Sequence, residues 1–187
     1  MSLIEITELT HNIVLDMRYA TPNNFTGAII YNSPRCFLHA DALLCLEAAI
    51  KLAKRQGLRF KILDAYRPQA PQEKLWAIYP DSNYIAPPQR GSHHTRGVAV
   101  DLTLIDDVGN ELDMGTPFDS FDIASHHGST AISSEAARNR YLLVGIMMSA
   151  GWDLYINEWW HYQLFKPREY PLIVDHDILT SIIDKKT

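Results

Sequence analysis

Apolar and polar residues alternate most regularly between Gly97 and Leu104. One face of this segment would be apolar, and the other would carry a single carboxylate, that of Asp101, between the small residues Ala99 and Thr103. Such alternation predicts a β-strand with one face in the core. Acidic side chains are costly to bury without a partner, so Asp101 is a candidate for a functional role.

Helical spacing appears in two longer segments and one short one. Leu43, Leu46, Ile50 and Ala53 recur at intervals of three or four, and Gly57 follows as a stop signal. A second helix is predicted from a cap at Ser133 or Ser134 to about Ala150, before Gly151. Residues 69–79 predict a short third helix.

Strands are further predicted for residues 58–66 and 152–156, and a strand or extended edge for residues 1–20. Residues 21–37, 80–91 and 106–122 are rich in Pro, Gly, Asn or Asp and predict loops, and Pro167 and Pro171 predict an irregular C-terminal tail. The elements lack a βαβ rhythm. We therefore expect an α+β fold, with a mainly antiparallel sheet flanked by helices, in a single domain over residues 1–187.

Charge and hydropathy narrow the range of partners. The net charge is −5 and the isoelectric point about 5.9, which argues against nucleic acid as a partner because phosphate binding needs a basic surface. No stretch is apolar enough to cross a membrane, and no signal peptide is recognisable at the N-terminus. We expect a cytoplasmic protein, or a periplasmic one if a signal was removed. The sequence gives no indication of oligomeric state.

The two cysteines, Cys36 and Cys45, do not form a CxxC pair, which argues against a cysteine metal site. The sequence leaves open whether a disulfide joins them. The position of Cys45 in the first predicted helix favours free, buried thiols.

A split set of potential metal ligands offers the most specific chemistry. His94 and Asp101 lie seven residues apart, and His161 follows later with Glu158 three residues before it. Three protein ligands leave a coordination position for water, as in catalytic zinc sites. A spare carboxylate beside that water is suited to carry its proton.

Each of these residues has a structural alternative when taken alone. A single histidine is more often exposed or hydrogen-bonded than a ligand, Asp101 could hold a turn, and Glu158 could be a surface residue. His93 and the pair His126–His127 we place outside the ligand set. Trp159 and Trp160 are expected to be apolar walls of the site.

Several segments together resemble one family. The first motif is Ser92-x-His94-x-x-Gly97-x-Ala99-x-Asp101, and the second is Glu158-Trp-Trp-His161. Further matches are residues 16–27 (DMRYATPNNFTG), Asp64-Ala-Tyr-Arg67-Pro68, residues 114–119 (MGTPFD) and residues 125–127 (SHH). Together they closely resemble the zinc D-alanyl-D-alanine dipeptidases of the vancomycin-resistance type, which are grouped with zinc D-Ala-D-Ala carboxypeptidases and the hedgehog N-terminal domain.

The resemblance implies one zinc ion per chain, bound by His94, Asp101 and His161. It also implies that Glu158 acts as general base and acid, and that Arg67 stabilises the oxyanion of the tetrahedral intermediate. The alternative for Arg67 is that it ends a strand and pairs with an acidic neighbour such as Asp64.

A free dipeptide carries an ammonium and a carboxylate. The resemblance implies that Asp119, helped by Tyr19, binds the ammonium, and that Ser92 donates a hydrogen bond to substrate. Their alternatives are a loop cap for Asp119, a core residue for Tyr19 and a turn residue for Ser92.

The predicted function is therefore zinc-dependent hydrolysis of D-alanyl-D-alanine to two D-alanines, in recycling or removal of the cell-wall dipeptide. One alternative is a D,D- or L,D-carboxypeptidase that trims peptidoglycan peptides. Another is a zinc module without enzymatic activity, although such a module would need neither Glu158 nor Arg67.

Overall fold

A five-stranded sheet forms the centre of the computed structural model, which describes residues 3–173. The strands are β1 (Leu3–Ile6), β2 (Val14–Leu15), β3 (Cys36–His39), β4 (Arg59–Asp64), β5 (Ala99–Ile105), β6 (Trp152–Leu154) and β7 (His161–Leu164). The helices are α1 (Glu8–His11), α2 (Ala40–Arg55), α3 (Gln69–Ile78) and α4 (Ser134–Ser149).

The central sheet has the strand order β2-β4-β5-β7-β6, and β1 and β3 form a separate antiparallel pair. All pairings in the central sheet are antiparallel except that of β2 with β4. The predicted α+β class with a mainly antiparallel sheet is thus confirmed. The last residues of the predicted domain, 174–187, lie outside the described part of the chain.

Helices α2 and α4 pack against each other and against the sheet. The Ser133 hydroxyl accepts a hydrogen bond from Ala136 N and caps α4, as predicted. In α2, the acidic Asp41 lies in the first turn and the basic Lys54 and Arg55 lie in the last turn. These charges complement the helix dipole.

The hydrophobic core includes the alternating apolar side chains of the central strands. Phe60 and Ile62 of β4 and Val100, Leu102 and Leu104 of β5 have no exposed surface. Side chains alternate across a sheet, so Asp101 lies on the other face of β5. Asp101 is paired with His161 of β7 in the ladder, which places both on that face.

An irregularity in β4 brings a further carboxylate to the same region. The ladder pairs Ile62 with Leu102 but Asp64 with Asp101, so Leu63 is an extra residue that forms a β-bulge. The side chain of Asp64 consequently lies beside Asp101.

Several element predictions were wrong in detail. Residues 1–20 contain a short helix between two strands, and the predicted loop over residues 21–37 ends in the first residues of β3. The predicted strand over residues 152–156 ends at Leu154, and β7 was missed altogether.

Cys36 is buried and Cys45 half-buried, and both are free thiols, as the helix position of Cys45 favoured. Among residues 3–173, no helix is sufficiently long and apolar to cross a membrane.

Candidate metal centre and active site

Three side chains converge at the centre of the sheet. Potential ligand atoms of His94, Asp101 and His161 lie within 4.8 Å of one another, and all three residues are buried. His161 Nδ1 is 3.1 Å from His94 Nε2 and 3.0 Å from Asp101 Oδ1, and His94 Nε2 is 3.3 Å from Asp101 Oδ2.

This donor set fits a small divalent cation. Nitrogen and oxygen ligands about 2.0–2.2 Å from a tetrahedral ion lie about 3.3 Å from one another. The three spacings are close to that value, and two imidazoles with one carboxylate are ligands that suit zinc.

The protonation of the donors also fits a cation. His94 Nδ1 donates to Ala65 O at 2.6 Å, which leaves Nε2 as the nitrogen with a free lone pair. Burial lowers the pKa of His161 and keeps this imidazole neutral. Burial alone would raise the pKa of Asp101, but the imidazoles of His94 and His161 outweigh it and hold that pKa below its usual range.

A tight turn sets the position of His94. The residues His94–Arg96 form a single helical turn that Gly97 ends with φ of +69°. A Cβ atom at Gly97 would lie 2.8 Å from the Leu3 side chain and 3.2 Å from His39 N. Both the backbone conformation and the close approach therefore require glycine here.

Glu158 is buried beside this donor set. Its Oε2 atom is 3.8 Å from His161 Nδ1. Burial, followed by the carboxylates of Asp101 and Asp119, raises the pKa of Glu158 well above its usual value, while Arg67 opposes the shift. A carboxyl group that readily holds a proton has the property of a general acid or base, and a bound cation would shift its pKa back down.

Arg67 is buried and held rigidly. Its Nε and Nη2 donate to Asp64 Oδ2 at 3.0 and 2.7 Å, and its Nη1 donates to Gln72 Oε1 at 2.9 Å. Its guanidinium also lies 4.9 Å from the ring centroid of Tyr19. The ion pair with Asp64, which was the structural alternative for Arg67, is thus present, and Arg67 nevertheless lines the cavity of the site.

Asp119 and Tyr19 meet at one end of this cavity. Tyr19 donates to Asp119 Oδ1 at 3.1 Å, and Oδ2 of Asp119 has no hydrogen-bond partner within the described residues. Burial and then the charge of Asp101 raise the pKa of Asp119 to about 8. Asp119 also has φ of +61°, a left-handed conformation that few residues other than glycine adopt.

Ser92 lines the same cavity and is also a turn residue, because its hydroxyl accepts a hydrogen bond from His94 N at 3.2 Å. The neighbouring His93 lies with its ring centroid 6.3 Å from that of His161. The structure therefore brings all eight sequence-predicted site residues to one cavity of about 200 Å³: Tyr19, Arg67, Ser92, His94, Asp101, Asp119, Glu158 and His161.

Arg140 is a supporting residue that the sequence did not predict. Arg140 of α4 is buried, and its guanidinium donates to Met114 O at 2.7 Å, Ala124 O at 2.8 Å and His126 O at 3.1 Å. It also lies 5.9 Å from the ring centroid of Trp159, beside Glu158. Nothing in the helical pattern distinguishes Arg140, because its partners are backbone carbonyls of distant loops.

The histidines that we placed outside the ligand set support these loops. His126 Nε2 and Tyr84 OH form a hydrogen bond of 3.1 Å. His127 N donates to Ile156 O at 2.9 Å, and Trp159 N donates to Ser125 O at 3.1 Å. Residues 125–127 thus pair with the segment that carries Glu158.

The fold and the site together define the class of protein: an α+β domain with a buried candidate metal centre of the hydrolytic type. The model of the D-ala-D-ala dipeptidase family matches residues 1–179. The chain belongs to this peptidase family.

Two similar proteins each match most of the chain. It is 41% identical to a D-alanyl-D-alanine dipeptidase of Escherichia coli (strain K12) over 92% of this chain and 90% of that protein. It is 34% identical to a D-alanyl-D-alanine dipeptidase of Enterococcus faecium over 89% of this chain and 92% of that protein. Among solved structures, the L-Ala D-Glu endopeptidase ChiX of Serratia marcescens is 16% identical, with a TM-score of 0.44 over 72% of this chain and 84% of that one.

Proposed function

We propose that this peptidase hydrolyses D-alanyl-D-alanine to two D-alanines with one zinc ion per chain, held by His94, Asp101 and His161. The observation that carries the proposal is a buried three-donor cluster that shares one cavity with a proton-holding glutamate, Glu158, and a half-buried aspartate, Asp119. The names of the relatives agree with it.

Zinc, when bound, supplies a Lewis acid that polarises the scissile carbonyl and lowers the pKa of a water. Glu158 accepts the proton of the attacking water and then delivers it to the departing amine, a role suited to its raised pKa. Arg67 donates hydrogen bonds to the oxygen on which negative charge develops, and Asp64 and Gln72 keep its guanidinium in place beforehand.

The end of the cavity at Asp119 sets the length of the substrate. An ammonium group bound to the free Oδ2 atom would ionise Asp119 and satisfy its unused acceptor, with Tyr19 completing the contact. Ser92 adds a hydrogen bond to the substrate. A half-buried carboxylate with an unused acceptor at this end favours a free dipeptide over a peptidoglycan peptide, whose amino end is acylated.

The proposal is tested by metal analysis together with release of D-alanine from three substrates: D-Ala-D-Ala, L-Ala-L-Ala and N-acetyl-D-Ala-D-Ala. We expect about one zinc per chain and hydrolysis of the free D-dipeptide alone. Equal rates on the acetylated substrate would replace the dipeptidase by a carboxypeptidase, and absence of bound zinc would remove the basis of the proposal.

The role of Arg67 has its own test. Lysine keeps the charge but loses the fork that binds Asp64 and Gln72. We expect Arg67→Lys to lower kcat about 100- to 1000-fold, as loss of an oxyanion donor does. The exposed Arg55→Lys is the matched control, and equal activity of the Arg67 and Arg55 variants would contradict the assignment.

A further inference from the structure

The proposed function assigns the ammonium group of the dipeptide to Asp119 but leaves its carboxylate without a charged partner. Two arginines, Arg90 and Arg168, line the same cavity at its exposed rim. Neither belongs to the motifs of the sequence analysis. Their placement, surroundings and pairing indicate what they bind.

Each arginine lies near an aromatic side chain that packs close to His161. The charge of Arg168 acts on His93, whose ring is close to that of His161. The charge of Arg90 acts on Tyr155, whose ring centroid is 5.9 Å from that of His161. Asp119, by contrast, contacts Tyr19, which packs against Arg67. The cavity thus carries a carboxylate at Asp119 and guanidinium groups at Arg90 and Arg168, and we call the part lined by the two arginines its basic end.

The backbone at the basic end is held in place by one side chain. The guanidinium of Arg96 donates to Arg90 O at 3.1 Å and also to Tyr170 O, two residues after Arg168. Ile173 N further donates to Thr95 O at 3.1 Å. The two segments that carry the rim arginines are therefore tied to each other and to the turn that carries His94.

Within residues 3–173, neither rim arginine forms an ion pair with a carboxylate. Other basic residues do: Arg18 pairs with Asp16, Arg35 with Glu5 and Lys166 with Glu169. Guanidinium groups bind carboxylates through two parallel hydrogen bonds, and unpaired ones at a cavity rim are free to do so.

We propose that Arg90 and Arg168 bind the C-terminal carboxylate of the substrate and make the enzyme selective for peptides in which this carboxylate is free. The proposal rests on the proposed function. A zwitterionic dipeptide would then be bound by Asp119 at one end and by the rim arginines at the other, with its peptide bond over the donor cluster.

The test compares D-alanyl-D-alanine with D-alanyl-D-alaninamide, which lacks the negative charge but keeps the scissile bond. The variants are Arg90→Gln, Arg168→Gln and the double variant. The control is Lys166→Gln, which removes a charge from the same segment but from a residue that does not line this cavity. All three positions are exposed, so circular dichroism is expected to show unchanged folds.

We expect each arginine variant to lower kcat/KM for the acid about 10-fold, mainly through KM, as loss of a charged hydrogen bond does. Hydrolysis of the amide should change less than about twofold, and Lys166→Gln should leave both substrates unaffected. Added salt should weaken the preference of the wild type for the acid, because exposed charges are screened.

The outcomes separate the two proposals. If the wild type releases D-alanine but the arginine variants keep its ratio of acid to amide hydrolysis, the rim assignment is wrong and the dipeptidase proposal stands. If the variants lose activity equally on both substrates, the arginines act on structure and the rim assignment is also wrong. If the wild type cleaves neither substrate, both proposals fail together.

Discussion

The metal-donor candidates and the acidic side chains of the cavity are held by different kinds of structure. Asp101 and His161 lie opposite each other on β5 and β7, and a hydrogen bond to Ala65 O orients His94. Asp119 and Glu158 instead lie in loops, one after β5 and one between β6 and β7. We therefore expect metal binding and proton transfer to depend on separate parts of the fold, so that mutations can separate them.

The largest expected effect comes from replacing Glu158, which lies in the loop between β6 and β7. Glu158→Gln keeps the shape of the side chain but cannot accept a proton, so turnover of D-Ala-D-Ala should fall about 100- to 10,000-fold. Metal content should not change, because the donors lie on other residues. D-alanine release and elemental analysis measure both quantities. The exposed Glu73→Gln is the control, and near-normal turnover with metal retained would show that Glu158 is not the proton carrier.

The second change weakens the hydrogen bonds that hold the loops, at Arg140, a residue that does not line the cavity. Arg140→Met removes three hydrogen bonds to loop carbonyls, and we expect a loss of about 1–3 kcal/mol in the free energy of unfolding. Misplacement of Glu158 should lower turnover up to about 100-fold, with zinc affinity changed far less. The exposed Arg138→Met on the same helix is the control. An equal loss of zinc affinity and turnover would show that the loops and the metal-donor residues do not act separately.

The third change, at Asp119, is expected to alter how the stability of the metal-free protein depends on pH. Asp119 has a pKa of about 8 in the folded protein, well above the ordinary value of 3.8 for an aspartate. Between these values the folded state holds more protons than the unfolded state, so the contribution of Asp119 to stability is lost as the pH rises. Asp119→Asn is neutral throughout and tolerates the positive φ.

Metal-free Asp119→Asn should therefore melt several degrees above the metal-free wild type at pH 9 and close to it at pH 4. Thermal unfolding followed by circular dichroism measures this difference. Asp107→Asn, at an exposed position, should show no such trend. A constant difference at all pH values would mean that Asp119 is ionised in the folded state.

The smallest effect is expected on the sheet side. Gly97→Ala should cost about 1–2 kcal/mol for the left-handed backbone alone, with more from contact with Leu3 and His39. Gly57→Ala has a similar backbone cost, because Gly57 has φ of +72°, but open space around the new methyl group, which makes it the matched control. Urea unfolding should rank Gly97→Ala as the less stable variant, and the shifted His94 should bind zinc more weakly.

The regular elements that hold the metal-donor candidates were easier to predict from the sequence than the loops. Strict alternation in β5 gave the buried face and the position of Asp101, and helical spacing with Ser133 as a cap gave α4. Strand β7 was missed because His161–Leu164 is four residues long and shows no turn signal before it. Strand β2 has two residues, too few to display any period, and β3 follows directly on a loop rich in Pro and Asn.

The site residues were predicted from motifs, whereas the residues that hold them were not. Arg140 and Gln72 bind partners that are 5 to 26 residues away in sequence, and local pattern carries no information on such contacts. The raised pKa of Asp119 likewise follows from burial by the whole fold. Roles for the eight predicted residues remain predictions until the variants are measured.

The bulge at Leu63 decides on which face of β4 the side chain of Asp64 lies. Phe60 and Ile62 point into the core, and in a regular strand Asp64 would have the same parity and would be driven into that apolar layer. The one inserted residue reverses the phase of the chain and delivers Asp64 to Arg67 and Tyr31. Deletion of Leu63 is therefore expected to leave Asp64 on the face of the site, because Asp64 would then follow Ile62 in regular alternation and still lie opposite Asp101.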